Sequence, residues 1–581
     1  MEHMTEIKTD KWRTLPWLKI EGEVFNLQKR IFRVSQKGRH ENVHRIQQLL
    51  VSSRSAKLLA VRKAAEDSKG SSTPGVDGKR SLTSHQKLDL SEKLFLGQQP
   101  DKVRRVRIPK PGGSETRNLG IPTIRDRAWQ HLIALALEPE WEARFSPAQY
   151  GFRKGRNCQD VLLKVRMNIQ RSPKWVLDAD IEKFFDRISH EALVLKLSTF
   201  PAMENAIKRI LKAGVLDGGV TTTPESGTPQ GGPLSPLLAN ITLTGLPEAI
   251  SAAFPPRRSI AGVKVGKSPT IVIYADDFVV LHSSRDVILA VREFIEIWLQ
   301  PLGLNLAPLK TRITHTLEIP ETGMKPGFDF LGCHIRQFKI GEHQAKAFFK
   351  GNVTLITPSK KSQQRVYAKC VEIIDSHRPQ KKRNSQYKDR IAKGKASSEE
   401  IIIIRLNRIL RGWAYYHRYH NSKRTFSRLD HQLWHKIFRH VVKTHPRMTR
   451  AGIVASFFNG GCPWIFKVLG TEEELLKTAS IPIKRHSLVR PVSYYNGDWA
   501  YWGKRLGKYP GIPKPFGKCL KQQNRKCARC SRVITRDDRV SVVTDKDPQG
   551  SNRWVLMHRE CVDTVCDAPI QVYGLDSEDG Q

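Results

Sequence analysis

The chain has 581 residues, with 98 Lys and Arg against 56 Asp and Glu and a formal net charge of +42 at pH 7. An excess that large points to a polyanionic partner, most simply nucleic acid. The 12 Trp, 12 Tyr and 22 Phe exclude a bare basic tail, because they demand folded cores and stacking surfaces. No apolar run approaches the roughly 18 residues of a membrane-crossing helix, and the length fits about three to five domains. The start, Met1-Glu2-His3-Met4-Thr5-Glu6, has no signal-peptide core and is too acidic for a transit peptide, so a cytoplasmic location is expected.

In chain order, Val24, Leu27, Ile31 and Val34, then Val43, Ile46, Leu49 and Leu50, recur at helical spacing between Lys and Arg. They predict two basic amphipathic helices within residues 20–66. The run Ser71-Ser72-Thr73-Pro74-Gly75-Val76-Asp77-Gly78 is a turn-rich break. From about 100 to 345 short strand-like runs alternate with helices, an α+β pattern. Residues 357–450 read as helical and very basic, with a polar loop from Arg378 to Lys395. Aromatic and Gly-rich sequence over 455–516 predicts a small separate module, and the tail 517–581 holds five of the nine cysteines. That odd, localised cysteine set predicts a reducing compartment and one metal site, not a disulfide framework.

The most informative stretch is Tyr274-Ala275-Asp276-Asp277, set between Thr270-Ile271-Val272-Ile273 and Phe278-Val279-Val280-Leu281. It predicts a β-hairpin with two adjacent carboxylates at its tip. Such a pair repels and loses solvation, which is costly unless a cation sits there. By itself an Asp-Asp pair would more simply be a solvated turn. The strand Val176-Leu177-Asp178-Ala179-Asp180-Ile181 supplies a further Asp, and three carboxylates on two strands suit a pair of Mg²⁺ ions for attack on a phosphate. Lys110 and Arg117 flank a Gly-Gly turn and can grip a triphosphate together, although as isolated cations each reads as surface. Glycines around Gln230, in Gly227-Thr228-Pro229-Gln230-Gly231-Gly232, allow close approach of backbone to a ligand. Of Phe184 and Phe185, one is expected in the core and the other over the sugar of an incoming nucleotide.

Further pieces lie in order around these: Leu119-Gly120-Ile121-Pro122-Thr123, Tyr150-Gly151-Phe152-Arg153, Gly303-Leu304-Asn305-Leu306 with Lys310-Thr311, Gly327-Phe328-Asp329-Phe330-Leu331-Gly332, and Arg411-Gly412-Trp413-Ala414-Tyr415-Tyr416. With them the chain resembles, over nearly its full length, the reverse transcriptase/maturase proteins encoded within group II introns. The resemblance implies a right-hand polymerase with fingers, palm and helical thumb. Asp180, Asp276 and Asp277 match the ligands of two Mg²⁺ ions, with the Ile181 carbonyl assisting. Phe185 matches the position that rejects a ribose 2′-hydroxyl, Gln230 a nucleotide contact, and Lys110 and Arg117 phosphate contacts. Lys310 is matched more weakly, as a proton donor to pyrophosphate or a phosphate contact. The implied partners are the intron RNA, target DNA and dNTPs, within a bacterial ribonucleoprotein, and the implied activities are splicing and intron mobility by reverse transcription.

Arg405, Arg408 and Arg411 share a helix face, which favours an aromatic core stripe backed by a face that tracks RNA. Tyr494, Tyr495, Trp499, Tyr501 and Trp502 resemble the family's DNA-binding module, with an aromatic mini-core as the plainer reading. Cys527-x-x-Cys530 and His558-x-x-Cys561 have spacing suited to one structural Zn²⁺, Cys566 competing for the fourth place. This tail resembles a His-Asn-His endonuclease domain with Lys546 and Val562 where the family has catalytic histidines, which predicts a folded but inactive unit. The expected divisions are 1–70, a basic helical extension; 71–350, fingers and palm; 351–454, thumb or maturase; 455–516, DNA-binding module; and 517–581, degenerate zinc domain. Two rivals stay open: a maturase that only binds RNA, and a domesticated stand-alone reverse transcriptase. The intact Asp180, Asp276, Asp277 and Phe185 set weighs against the first.

Overall fold

The computed structural model describes residues 11–109, 116–256, 267–320, 323, 325–340, 351–376, 398–458, 465–468, 470–546, 552–563 and 573–575. Lys110, the loop expected over 378–395 and Cys566 lie outside the described residues.

Where periodicity predicts two N-terminal helices there are three: Trp17–Gln36, His40–Ser52 and Arg54–Arg62, the last running into a π-helical turn over Lys63–Asp67. Ser53 makes the extra boundary. Its backbone is extended and its hydroxyl accepts from the Ala56 N–H, satisfying a donor at the new helix start. Val24, Ile31, Val43 and Leu50 are buried as the spacing implies, whereas Leu49 is 54% exposed. These helices close on Ile124–Arg144, which buries Trp129, Leu132, Ile133, Ala136, Leu137 and Trp141. Apolar residues around a whole circumference require a core position. Pro139 lies inside that helix and has no N–H for the Leu135 carbonyl four residues back. Gln28 supplies the donor, its Nε2 2.7 Å from Leu135 O.

A four-stranded antiparallel sheet forms the centre, in the order 270–274, 277–282, 175–180, 312–315. Alternate residues feed two cores. Leu177, Ala179, Ile271, Ile273, Phe278 and Val280 pack with Ile288, Val291 and Ile295 of helix Arg285–Leu299. Val176, Val272, Val279 and Leu281 pack with Val161, Leu162 and Val165 of helix Cys158–Ile169. A sheet covered on both faces reads as continuous apolar runs, and a one-residue slip would exchange its two core faces. A second sheet carries the predicted hairpin Val103–Pro109 and Thr116–Ile121, beside two short strands at 215–217 and 220–222.

Helices Lys360–Ser376, Ser398–His417, Lys423–Thr444 and Arg450–Phe457 follow, sharing a core that includes Val366, Cys370, Leu406, Leu410, Leu433 and Ile437. The expectation of a separate module over 455–516 does not describe the packing of its second half. Tyr494, Tyr495, Trp502 and Tyr509 join the same apolar cluster as Phe25, Phe32, Tyr150 and Val161. Phe25 stacks on Tyr495 at 5.8 Å between ring centroids. The tail continues this cluster through Cys519, Leu520, Ile534, Val540 and Leu556. Among the described residues no helix is long and apolar enough to cross a membrane.

Asp160, fully buried at the start of helix Cys158–Ile169, locks the later segment down. Its carboxylate accepts from Arg505 at 2.6 and 2.5 Å, from the Val489 N–H at 2.9 Å and from the Asn157 N–H at 3.0 Å, and lies 2.9 Å from His486 Nε2. Burial alone would raise this carboxyl, but His486 and Arg505 hold it below the ordinary carboxylate range. Its contribution to stability is therefore full above the unfolded value near 3.9 and is lost as pH falls through the depressed folded value. Arg505→Ala strands the buried charge and should cost about 3–5 kcal/mol. The check is a lowered unfolding midpoint together with faster amide exchange across 484–505. Unchanged exchange there would show that Asp160 does not hold the segment.

Candidate active site

The hairpin tip is a two-residue loop, Ala275-Asp276, with Tyr274 and Asp277 as the closing pair. Ala275 sits at φ 59°, a left-handed conformation that costs a non-Gly residue of order 1–3 kcal/mol and persists only where its surroundings enforce it. They do. The Ile273 N–H donates to Ala148 O at 2.9 Å and the Tyr150 N–H to Ile273 O at 3.0 Å, so segment 148–150 braces the hairpin. A Cβ on Gly151 would lie 2.3 Å from the Ala275 nitrogen, so Gly151 is what allows the brace to come this close.

Register then gathers the acids. Asp180, last residue of its strand, is the direct antiparallel partner of Asp277. Asp178 stands on the same face two residues earlier and pairs with Arg312 of the neighbouring strand. Burial, followed by the charges of Asp276 and Asp180, pushes Asp277 up to about 7. Asp276 is raised too, by burial first, with Asp180 adding to the effect and Arg117 and Lys310 opposing it. Asp178 is likewise pushed up to about 7, by burial and then by Asp277, against Arg312. Lys310 forms an ion pair with Asp180. Asp178 is the carboxylate that sequence reasoning left without a role. Its alternation with Asp180 was readable, but its tie to Arg312 was not.

The chain from Asp180 onward builds a wall. Ala307 donates to Asp180 O at 2.8 Å and Glu182 to Asn305 O at 3.0 Å, anchoring Ile181, which is 2% exposed. Phe184 is buried, Phe185 is half-exposed, and their rings meet edge-on at 5.5 Å. Phe152, 53% exposed and at φ 57°, meets Phe185 edge-on at 6.4 Å. It is a second aromatic wall residue, and its signal lay unused in the Tyr-Gly-Phe-Arg motif.

Loop 227–232 stitches this wall to the second sheet. Thr228 donates to Phe185 O at 2.6 Å, Gly227 donates to Ile188 O at 2.8 Å, and Gly120 donates to Gln230 O at 2.7 Å. A Cβ on Gly227 would lie 2.7 Å from the Phe185 and Asp186 carbonyl oxygens, and one on Gly231 2.7 Å from Gly120 O. Gln230 is half-buried between the two contacts. Arg117, register partner of Ile108, is exposed and close enough for its charge to oppose the rise of Asp276.

In helix Ser398–His417, Arg408 and Arg411 are exposed and Arg405 is half-buried. Trp413, Tyr416 and His417 face inward, whereas Tyr415 is exposed. Trp413 Nε1 donates to Ser362 Oγ at 3.0 Å and the Tyr416 hydroxyl to Leu331 O at 2.7 Å, while Cys333 Sγ lies 3.6 Å from His417 Nδ1. The next helix, Lys423–Thr444, presents an exposed line of Arg424, Arg428, His431, His435 and Arg439, whose helical spacing sequence reading passed over.

In the tail, one ligand atom from each of Cys527, Cys530, His558 and Cys561 lies within 4.8 Å of the others, a set that could hold a metal ion and is compatible with zinc. His558 Nε2 lies 3.4 Å from Asp538 Oδ2, an outer partner that would orient the ring. Arg532, then His558 and Cys527, hold the Cys530 thiol down at about 6. Val562 is 4% exposed and packed with Val543 and Val555.

Residues 108–335 match the family described as reverse transcriptase (RNA-dependent DNA polymerase). Residues 12–94 match the N-terminal domain of reverse transcriptase, and 363–458 the group II intron, maturase-specific domain. Protein YkfC of Escherichia coli is 31% identical over 311 residues, 47% of this chain and 79% of that protein. The group II intron-encoded protein LtrA of Lactococcus lactis is 38% identical over 148 residues, 25% of this chain and 24% of that one. Maturase-like protein 1 of Euglena gracilis is 31% identical over 205 residues, 34% and 44% of the two chains.

The raised carboxylates set a pH dependence with a definite sign. An Asp whose folded value lies near 7 destabilises the fold progressively as pH rises from about 4 to about 7, because the unfolded chain releases its proton first. A divalent cation at the cluster reverses this by favouring the charged forms. Mg²⁺ should therefore raise the unfolding midpoint more at about pH 8 than at about pH 5, and Asp277→Asn should remove most of the difference. Equal Mg²⁺ effects at both pH values would refute it.

Proposed function

The chain belongs to the group II intron-encoded reverse transcriptase/maturase family, and from that premise we propose how its residues share the work of copying intron RNA into DNA. The family gives an RNA-directed DNA polymerase with a maturase domain, acting in intron splicing and mobility. The observation that carries the residue assignment is the pairing of Asp180 with Asp277 beside the Asp276 turn.

Segments 71–350 are fingers and palm, and 351–454 the thumb. The donor set fits Mg²⁺, since it is all oxygen and its carboxyls are raised by burial and mutual repulsion, which a hard cation relieves. Asp180, Asp276 and Asp277 would hold two Mg²⁺ ions, with the Ile181 carbonyl as a further ligand. Bound there, they would supply charge stabilisation for attack of a primer 3′-hydroxyl on the α-phosphorus and for the pyrophosphate that leaves. Phe185 closes on the sugar where a 2′-hydroxyl would stand, with Phe152 keeping its ring upright. Gln230 contacts the nucleotide from a loop fixed at both ends. Arg117 holds the phosphates bidentately, and Lys110, by its place in the family motif, is a second phosphate contact. Lys310, paired with Asp180, turns to the phosphates once a cation takes over that carboxylate. Arg405, Arg408 and Arg411 contact intron RNA, and the aromatic segment within 455–516 contacts target DNA. Cys527, Cys530, His558 and Cys561 hold one structural Zn²⁺.

Asp276→Asn or Asp277→Asn should lower primer extension on an RNA template by on the order of a thousandfold or more, leaving intron RNA affinity within a few-fold. Near-normal extension by either variant would remove these residues from the site.

The tail should retain zinc without nuclease activity, because Val562 is sealed in a small apolar core and cannot reach a metal. Dialysed protein should keep about one Zn²⁺ per chain, lost in Cys527→Ser/Cys530→Ser. The full chain should leave target DNA un-nicked with Mg²⁺ or Mn²⁺ present. Clean metal-dependent nicking that disappears in His558→Ala would overturn the assignment.

A further inference from the structure

Helix Lys423–Thr444 carries a second constellation that the copying reaction and the cysteine cluster leave unused. His431 and His435 stand one turn apart on an exposed face, with Nε2 atoms 3.2 Å apart. Their rings are perpendicular, at 85°, with centroids 4.5 Å apart. We propose that His431 and His435 form a two-nitrogen chelate for a borderline divalent cation such as Zn²⁺, Ni²⁺ or Cu²⁺, separate from both the carboxylate cluster and the cysteine site.

Geometry carries this. An ion about 2.0–2.1 Å from each of two nitrogens 3.2 Å apart subtends an angle of about 100°, between the octahedral and tetrahedral values. The separation of the two nitrogens thus already matches the bite of one coordination centre, and a ring rotation about the side-chain bonds would complete the chelate. The backbone holds them there. Leu429, Leu433 and Ile437 are buried on the opposite face, and Lys436 is paired with Asp375 at 2.9 Å. Trp434 meets the His435 ring edge-on at 5.0 Å and stacks on Phe438 at 5.2 Å, which restrains the imidazole from the side.

Ligand type sets the class of ion. Two imidazoles select borderline metals over Mg²⁺ or Ca²⁺, which prefer oxygen. Among the described residues, three or more His, Cys, Asp or Glu ligands converge at the Cys527 cluster, and no third such ligand converges on His431 and His435. The remaining coordination positions therefore face solvent, and the site is an exchangeable one, unlike a closed structural centre. Arg428 and Arg439 follow on the same exposed line, so an anionic fourth ligand would meet a favourable field.

The test uses the full chain without an affinity tag, with zinc already in the cysteine cluster. Ni²⁺ uptake at micromolar concentrations is followed by equilibrium dialysis and elemental analysis, for wild type, His431→Ala, His435→Asn and the double variant. Wild type should take up about one Ni²⁺ more than the double variant, and each single change should weaken uptake roughly tenfold or more. Cu²⁺ bound to wild type should show coupling to two imidazole nitrogens, and zinc in the cysteine cluster should stay constant throughout. Both side chains are exposed, so an unchanged circular dichroism spectrum secures the comparison. Equal Ni²⁺ uptake by wild type and double variant would overturn the chelate and leave the 3.2 Å contact as an N–H···N hydrogen bond between neutral rings.

Discussion

The carboxylate cluster depends on one rung of the central sheet, where Asp180 faces Asp277 across an antiparallel pair. Like charges directly opposite each other destabilise a sheet, and here Asp276 and Asp178 add to the repulsion. The arrangement survives because both faces of the sheet are committed to core. Sliding the strand 175–180 by one residue would separate the acids, but it would also move Val176 and Leu177 into each other's cores. Apolar burial thus enforces an electrostatically unfavourable register, and the stored repulsion becomes affinity for a cation. Ala275 in its left-handed turn is a smaller instance, held by Gly151 and the brace at 148–150.

That committed core also explains why the later modules are not independent. Helix Cys158–Ile169 covers one face of the sheet, and its first turn presents Asp160 to Arg505 and His486. Its neighbour Gln159 donates to the Tyr416 carbonyl at 2.8 Å. One helix therefore touches the central sheet, the aromatic segment near 490–505 and the helix bearing the Arg411–Tyr416 motif. Displacing either peripheral element would expose apolar groups that the sheet's own core shares, so position is transmitted through packing instead of through a flexible hinge.

What could be read from sequence was whatever local spacing encodes. The Asp276–Asp277 tip, the strand ending at Asp180 and the Cys527/Cys530 with His558/Cys561 pattern are all local, and the structure brings each set together. Contacts decided by register or by distant packing were not legible. Asp178 gained its Arg312 partner only when strands 175–180 and 312–315 paired. The aromatic segment looked separate because its apolar partner, Phe25, lies hundreds of positions earlier. The third N-terminal helix was a different kind of miss, since Ser53 gave a usable cap signal that periodicity overran.

The inward turn of Trp413, Tyr416 and His417 bears on how the maturase helices can serve both RNA binding and copying. Burial pushes His417 down to about 3, so it stays neutral between Ser362 and Cys333 and contributes packing instead of charge. Tyr416 is therefore spent on attaching the helix to the turn at Leu331 and Trp413 on attaching it to Ser362, while Arg408 and Arg411 are left exposed. Separating attachment and charge by face lets the exposed arginines vary without disturbing the attachment. Loss of Tyr416 would therefore loosen the turn at Leu331, and loss of Trp413 the contact with Ser362, before either altered the exposed arginines.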